Sequence, residues 1–152
     1  MDAAGARTVA DTIGGLFRSI HQDIRDRVGG LDDEALNWQP LPAANSIAVL
    51  VVHTLGSERE MLHAVRQRPV ERDRPSEFKA RASCADLLAL LTQADRELDE
   101  LAAGLSADDL TGMRPRGDRP PKPGLEWLLT NYGHAREHVA QIDLTKQLYD
   151  ER

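Results

Sequence analysis

The sequence predicts an all-α fold, and three observations support this prediction. Of its 152 residues, 41% are hydrophobic but only 4% are aromatic, so the core is aliphatic. The apolar residues recur at steps of three and four, the spacing that places side chains along one side of a helix. The prolines, which interrupt helices, lie between these stretches. Because a chain of this length can bury its own core, we expect one domain over residues 1–152.

Four long amphipathic helices are predicted in order along the chain. Their predicted extents are residues 6–28, 47–67, 83–104 and 125–148. Asn45 or Ser46 is the expected N-cap of the second helix. Ser83 and Asp86 have the spacing of a capping box, which predicts the start of the third helix. Four such helices are typical of a four-helix bundle.

The connecting segments contain most of the turn-forming residues. We expect a short helical turn at residues 32–36 and a long crossing connection at residues 69–82. Residues 112–124 contain four of the eight prolines, which predicts a segment without regular structure. The arginines and the lysine of this segment either bind an anionic substrate or are simply solvated.

Charge and composition exclude several classes of function. A formal net charge of −6 argues against general binding to nucleic acid or to an anionic membrane, since both require clustered positive charge. No apolar run approaches the roughly 20 residues of a membrane helix. The single cysteine, Cys84, cannot form an internal disulfide, and the first residues do not resemble a secretory signal. We therefore expect a cytoplasmic protein that acts on a small molecule.

Three histidines have the arrangement expected of a metal site. His134 and His138 are four residues apart, so their rings lie on one face of the predicted last helix. His53 lies in the apolar run IAVLVVHTLG, where a buried imidazole without partners costs on the order of 1–3 kcal/mol. Three nitrogen ligands leave a coordination position open, as in catalytic zinc sites, and among the metals that suit them we favour zinc or nickel. The alternatives are a hydrogen-bonded core histidine at position 53 and two surface histidines on the last helix.

Other polar residues are candidates for secondary roles. Asn131 shares a helix face with the histidine pair and can hydrogen-bond a ligand, and Glu60 is a candidate general base, although helix carboxylates usually face solvent. His21 lies beside the apolar stripe of the first helix, from which it could reach the mouth of a pocket. We expect His63 to be exposed and Cys84 to be an ordinary free cysteine.

Two segments of the chain resemble the DinB-like superfamily. LNWQPLPAANSIAVLVVHTLGSERE, residues 36–60, is similar to that superfamily's second-helix region, and NYGHAREHVAQIDLTKQL, residues 131–148, is similar to its fourth helix. The resemblance implies an up-down-down-up four-helix bundle, commonly a homodimer. It also implies a divalent metal held by His53, His134 and His138. Relatives include S-transferases and an isomerase that use mycothiol, bacillithiol or a similar low-molecular-weight thiol.

These observations lead to three functional hypotheses. In the first, the chain is a metal-dependent S-transferase that activates a thiol cofactor for attack on a small electrophile. In the second, a metal-bound water carries out hydrolysis or isomerisation without a thiol. In the third, the chain is a non-catalytic dimeric binding or stress-response module whose metal stabilises the bundle. Omission of thiols separates the first two hypotheses, and the absence of any turnover identifies the third.

Overall fold

The structure is mostly helical, as predicted. The computed structural model describes all 152 residues. In chain order its elements are α1 (Ala3–Val28), α2 (Asp33–Asn37), α3 (Ile47–Val65), α4 (Arg74–Glu77), α5 (Cys84–Ala103), α6 (Ala107–Thr111), β1 (Met113–Arg116), β2 (Arg119–Pro123) and α7 (Gly124–Asp150). The four long helices α1, α3, α5 and α7 match the four predicted ones to within a few residues. None of the helices is both long and apolar enough to span a membrane.

Side-chain caps explain where three of the long helices begin. Asp2 accepts a hydrogen bond from the backbone N–H of Gly5 at the start of α1, and Ser46 caps α3 in the same way. Ser83 and Asp86 form the predicted capping box at the start of α5. Each cap satisfies a backbone donor that has no partner within the helix.

The long helices bury their apolar faces against one another. Helices α1 and α3 each pack against both α5 and α7. The core consists of two groups of buried aliphatic residues, and the half-buried Tyr132 of α7 contacts both. The Tyr132 ring meets the fully buried Phe17 of α1 edge to face, with ring centroids 6.1 Å apart. This packing fixes the position of α7 relative to α3, the two helices that carry the candidate ligands.

The prediction that residues 112–124 lack regular structure was wrong. Strands β1 and β2 pair in an antiparallel hairpin, whose turn contains Gly117 at a φ of 56°. The prolines are tolerated because both strands are edge strands, so half of their N–H groups point away from the partner. The register also shifts between Arg114 and Arg116, at the position of Pro115. The hairpin holds Arg114 and Arg116 in buried positions beside α3.

The short helices lie in the connections where the sequence indicates turns. The helical turn predicted near residues 32–36 is confirmed as α2. The long connection at residues 69–82 contains α4, whose N-cap Asp73 accepts from the backbone N–H of Ser76. Helix α4 contacts α3, and Glu77 at its end is buried.

Two glycines of α7 provide a matched test of this packing. A Cβ at Gly124 would lie 1.9 Å from the carbonyl oxygen of Asp109, whereas a Cβ at Gly133 would meet no atom within 4 Å. We expect Gly124→Ala to lower the free energy of unfolding by about 2 kcal/mol through overpacking. Gly133→Ala should raise it by about 0.5–1 kcal/mol because alanine favours the helix. Urea denaturation of both variants checks this pair, and a Gly124→Ala protein as stable as the wild type would contradict the close contact.

Candidate metal centre

The three histidines predicted from the sequence come together between α3 and α7. The ring centroids of His134 and His138 are 4.3 Å apart, and that of His53 lies 5.3 Å and 5.2 Å from them. The Nε2 atoms of His134 and His138 are separated by 3.0 Å. One nitrogen from each of the three rings lies within 4.8 Å of the other two.

Local sequence explains why these rings converge. His53 occupies the apolar first half of α3 and is only 6% exposed. On α7, Ala135 and Val139 are buried in the core, and each directly follows one of the histidines. His134 and His138 therefore lie one helical turn apart, half-buried at the edge of the apolar stripe. The contact between α3 and α7 brings the pair against His53.

Two of the rings have a partner for the nitrogen that faces away from the group. His53 Nδ1 donates a hydrogen bond of 2.8 Å to Glu77 Oε2, and His138 Nδ1 donates one of 2.7 Å to Gln141 Oε1. These bonds leave Nε2 of each ring with its lone pair, as a metal ligand requires. His134 Nδ1 is buried and has no partner within the protein.

Burial keeps His53 and His134 in the neutral form that binds metals. Burial, followed by the charges of His138 and His53, lowers the pKa of His134 to about 4. Burial also lowers the pKa of His53, an effect that the Glu77 carboxylate opposes and that His138 and Arg72 reinforce. Both rings are therefore unprotonated at neutral pH, and no proton has to leave them before a cation binds.

The donor set fits a divalent transition metal. Three imidazole nitrogens are the ligands of catalytic zinc sites, which keep one position for water or substrate. Two nitrogens that bind one zinc ion at about 2.0–2.1 Å lie at most about 4.2 Å apart. The nitrogens here lie within 4.8 Å of one another, so the rings need to move by only on the order of 1 Å to bind one ion. The Glu77 carboxylate behind His53 is the kind of outer partner that fixes the orientation of a metal-binding imidazole.

An ion-pair network surrounds Glu77 and includes the predicted general base. Arg72 donates to both carboxylate oxygens of Glu77 and to Glu60. Arg116 donates to Glu60 as well, at 2.9 Å. Although burial opposes them, these two arginines lower the pKa of the Glu60 carboxyl. The lowered pKa makes Glu60 a poorer proton acceptor, so its role as a general base stays a prediction that these arginines weaken.

Asn131 lies beside the histidines, on the same side of α7. It is 2% exposed, and its Nδ2 donates a hydrogen bond of 2.9 Å to Ser57 Oγ of α3. Its Oδ1 atom is buried without a partner. Asn131 therefore has an unused hydrogen-bonding atom next to the candidate ligands, and its role toward a bound molecule stays a prediction.

The remaining candidates lie outside the histidine group. His21 does not reach a pocket mouth; it is fully buried, with Nδ1 2.7 Å from Asp95 and Nε2 2.9 Å from Glu58. His63 is half-buried rather than exposed, and its Nδ1 is enclosed without a partner. Cys84 lies at the start of α5, where its thiol donates to the carbonyl of Val28.

Sequence reasoning missed Glu77 and Arg72. A buried His53 requires an acceptor for its second nitrogen, but the connection at residues 69–82 contains three carboxylates, and nothing in their spacing singles out one. Arg72 and Arg116 both donate to Glu60, which lies about two turns further along α3 than His53. Only the folded path of the two connections identifies these partners.

Comparisons with known proteins agree with this fold. The model of the DinB superfamily matches residues 16–142, a range that includes all three histidines. A conserved protein from Enterococcus faecalis is similar in structure over 95% of this chain and 98% of its own, with a TM-score of 0.77 and 16% identity. A DinB-like protein from Bacillus cereus aligns over 90% and 91% of the two chains, with a TM-score of 0.72 and 16% identity. No curated protein matches the sequence.

The buried His21 cluster predicts a pH dependence of stability. Burial lowers the pKa of His21, but Glu58 and Asp95 outweigh burial and raise it above 6.5. Because the folded pKa is the higher one, the stabilisation is complete below pH 6.5 and is lost as the pH rises through the folded pKa. We expect the free energy of unfolding to fall as the pH rises above 6.5, and His21→Gln to flatten this slope. Denaturation of wild type, His21→Gln and the control His63→Gln checks the assignment; an unchanged slope in His21→Gln would refute it.

Proposed function

Because the chain belongs to the DinB superfamily, we propose that it is a metal-dependent enzyme that transfers a low-molecular-weight thiol to a small electrophile. The observation that supports this proposal is the convergence of three imidazoles from two helices. The thiol chemistry comes from the resemblance to thiol-dependent S-transferases. We include in the proposal zinc or nickel as the metal, the up-down-down-up order of the helices, and a homodimer.

Each histidine has a distinct task in this proposal. His53, held by Glu77, supplies the fixed ligand, and the pair on α7 supplies two ligands from one rigid helix. When bound, a divalent cation supplies a Lewis acid that lowers the pKa of a thiol or water on its open side, which yields a nucleophile at neutral pH. Asn131 Oδ1 is available to orient the incoming molecule through a hydrogen bond.

Two side chains of the connection at residues 69–82 lie against the His53 ring. The Phe78 ring lies against the His53 ring, with centroids 4.8 Å apart, and is itself held under the guanidinium of Arg74. Arg72 lies 3.4 Å from His53 Nδ1 and fixes the Glu77 carboxylate. These contacts leave the side that faces Asn131 and Ser57 as the approach for a ligand.

Metal content tests the ligand set directly. We expect purified wild-type protein to bind about one zinc or nickel ion per chain, and His53→Ala or His138→Ala to lose most of it, because two imidazoles bind weakly. Glu77→Gln should weaken binding roughly tenfold to hundredfold, since it removes the outer acceptor. His63→Ala and Glu71→Gln are matched controls that should bind metal normally. Stoichiometric metal in both histidine variants, measured by elemental analysis, would exclude this site.

Turnover tests the reaction. Metal-loaded protein should couple a thiol such as bacillithiol, mycothiol or glutathione to the electrophile monochlorobimane faster than metal-free protein does, because the metal holds the thiol as thiolate. Mass spectrometry of the conjugate and the rate of fluorescence increase measure the reaction, with His53→Ala as the inactive control. Rates equal to those of the metal-free protein with every thiol would contradict the transferase. If the metal-loaded protein instead cleaves a hydrolysable substrate when no thiol is present, the result favours the second hypothesis, hydrolysis by a metal-bound water.

A further inference from the structure

A polar cleft of about 120 Å³ opens beside the histidines. Four arginines line it, namely Arg72, Arg74, Arg116 and Arg119, and no hydrophobic residue does. The rest of its lining includes His53, His134 and Asn131, so the cleft reaches the candidate metal centre. It is distinct from the larger cleft of about 220 Å³ between α3 and α5, which no histidine lines.

The charges around this cleft do not balance. Glu60 pairs with Arg72 and Arg116, and Glu77 pairs with Arg72. Arg74 packs over Phe78 and Arg119 follows the hairpin turn, and neither forms an ion pair. Four guanidinium groups therefore face two carboxylates, which leaves an excess of two positive charges on a protein whose formal net charge is −6. A concentration of one sign of charge in a cleft attracts ions of the other sign.

The buried amide of Asn131 is a second, independent indication of a ligand. Its one protein partner is Ser57 Oγ, which also accepts from Arg116 at 3.2 Å. Whichever way the amide is turned, one of its two terminal atoms has no partner in a side chain that is only 2% exposed. An unpaired buried polar atom costs roughly 1–3 kcal/mol, which a hydrogen bond to a bound molecule removes.

We propose that this cleft is an anion subsite that binds a carboxylate or phosphate group of the molecule acted on at the histidines. Arg74 and Arg119 supply the uncompensated charge, while Arg72 and Arg116 form the wall that Glu60 and Glu77 hold in place. Asn131 Oδ1 accepts a hydrogen bond from an N–H or O–H group of the same molecule, next to its anionic end. The inference rests on the proposed function in one respect, namely that the anion is part of the ligand that reaches the metal centre.

The size of the cleft limits what it holds. Pockets that enclose a whole drug-sized ligand have volumes of roughly 300–1,000 Å³. A space of about 120 Å³ accommodates one anionic end group, with the rest of the molecule extending toward the histidines or into solvent. Guanidinium groups suit this role because they bind carboxylate and phosphate through two parallel hydrogen bonds.

Calorimetric titration of metal-free protein tests the subsite without reference to metal chemistry. The probes are malonate, inorganic phosphate and the neutral analogue malonamide. The test variant is Arg74→Ala with Arg119→Ala, and the control is Arg81→Ala with Arg96→Ala, which removes two exposed arginines that form no ion pair. All four substituted residues are exposed, and thermal melting verifies that both variants are folded.

We expect malonate or phosphate, but not malonamide, to bind the wild type, and the test variant to bind roughly tenfold more weakly. The control should stay within about twofold, since bulk charge is screened by salt. The tighter of the two anions identifies the end group.

Equal weakening in both double variants, or wild-type binding of malonamide as tight as that of malonate, would overturn the proposal. Binding that requires added zinc and persists in the test variant would also overturn it, because the anion would then be a metal ligand only. If the wild type binds no metal but still binds malonate in a way that depends on Arg74 and Arg119, the transferase proposal is refuted and the anion subsite is supported.

Discussion

The packing of α3 against α7 is the constraint on which the site depends. His53 belongs to one of these helices, and His134 and His138 belong to the other, so no local structure can bring the three rings together. Buried aliphatic residues on both sides of Tyr132 hold the two helices in register. Since interiors are close-packed, a shift of α7 by a few tenths of an ångström displaces two of the three nitrogens at once. The core thus sets the spacing of the ligands.

Polar groups buried beside this core are compensated in two different ways. Glu58 and Asp95 each bind one ring nitrogen of His21, and Asp95 also accepts from Arg25, so this group has its partners within the protein and needs no ligand. The group around His53 is satisfied only in part: Glu77 and Gln141 each accept from an imidazole, while His134 Nδ1 and Asn131 Oδ1 have no protein partner. Buried groups without partners are uncommon in folded proteins. Two of the four such atoms in the chain lie here, beside two arginines that form no ion pair, which favours a binding site over a purely structural network.

The sequence predicts the helices and the ligands better than it predicts their surroundings. Periodicity and capping residues define the four long helices because both are local signals, and the spacing of His134 and His138 fixes their common face. The hairpin at residues 113–123 was missed because proline content suggests irregular structure, whereas edge strands tolerate proline. Glu77 was missed because it lies 24 residues from His53 in the chain, at the end of the short helix α4, and only the folded path brings it to the ring. His21 was misplaced because its two carboxylate partners come from α3 and α5, which only tertiary structure brings to it.

The most direct measurement is an anomalous-difference map from crystals of the protein loaded with zinc, collected at the zinc absorption edge. The account predicts a single strong peak at about 2.0–2.1 Å from one nitrogen each of His53, His134 and His138, with further density on its open side for water or a ligand. Zinc bound elsewhere, or no peak between α3 and α7 in protein that carries stoichiometric metal, would contradict it.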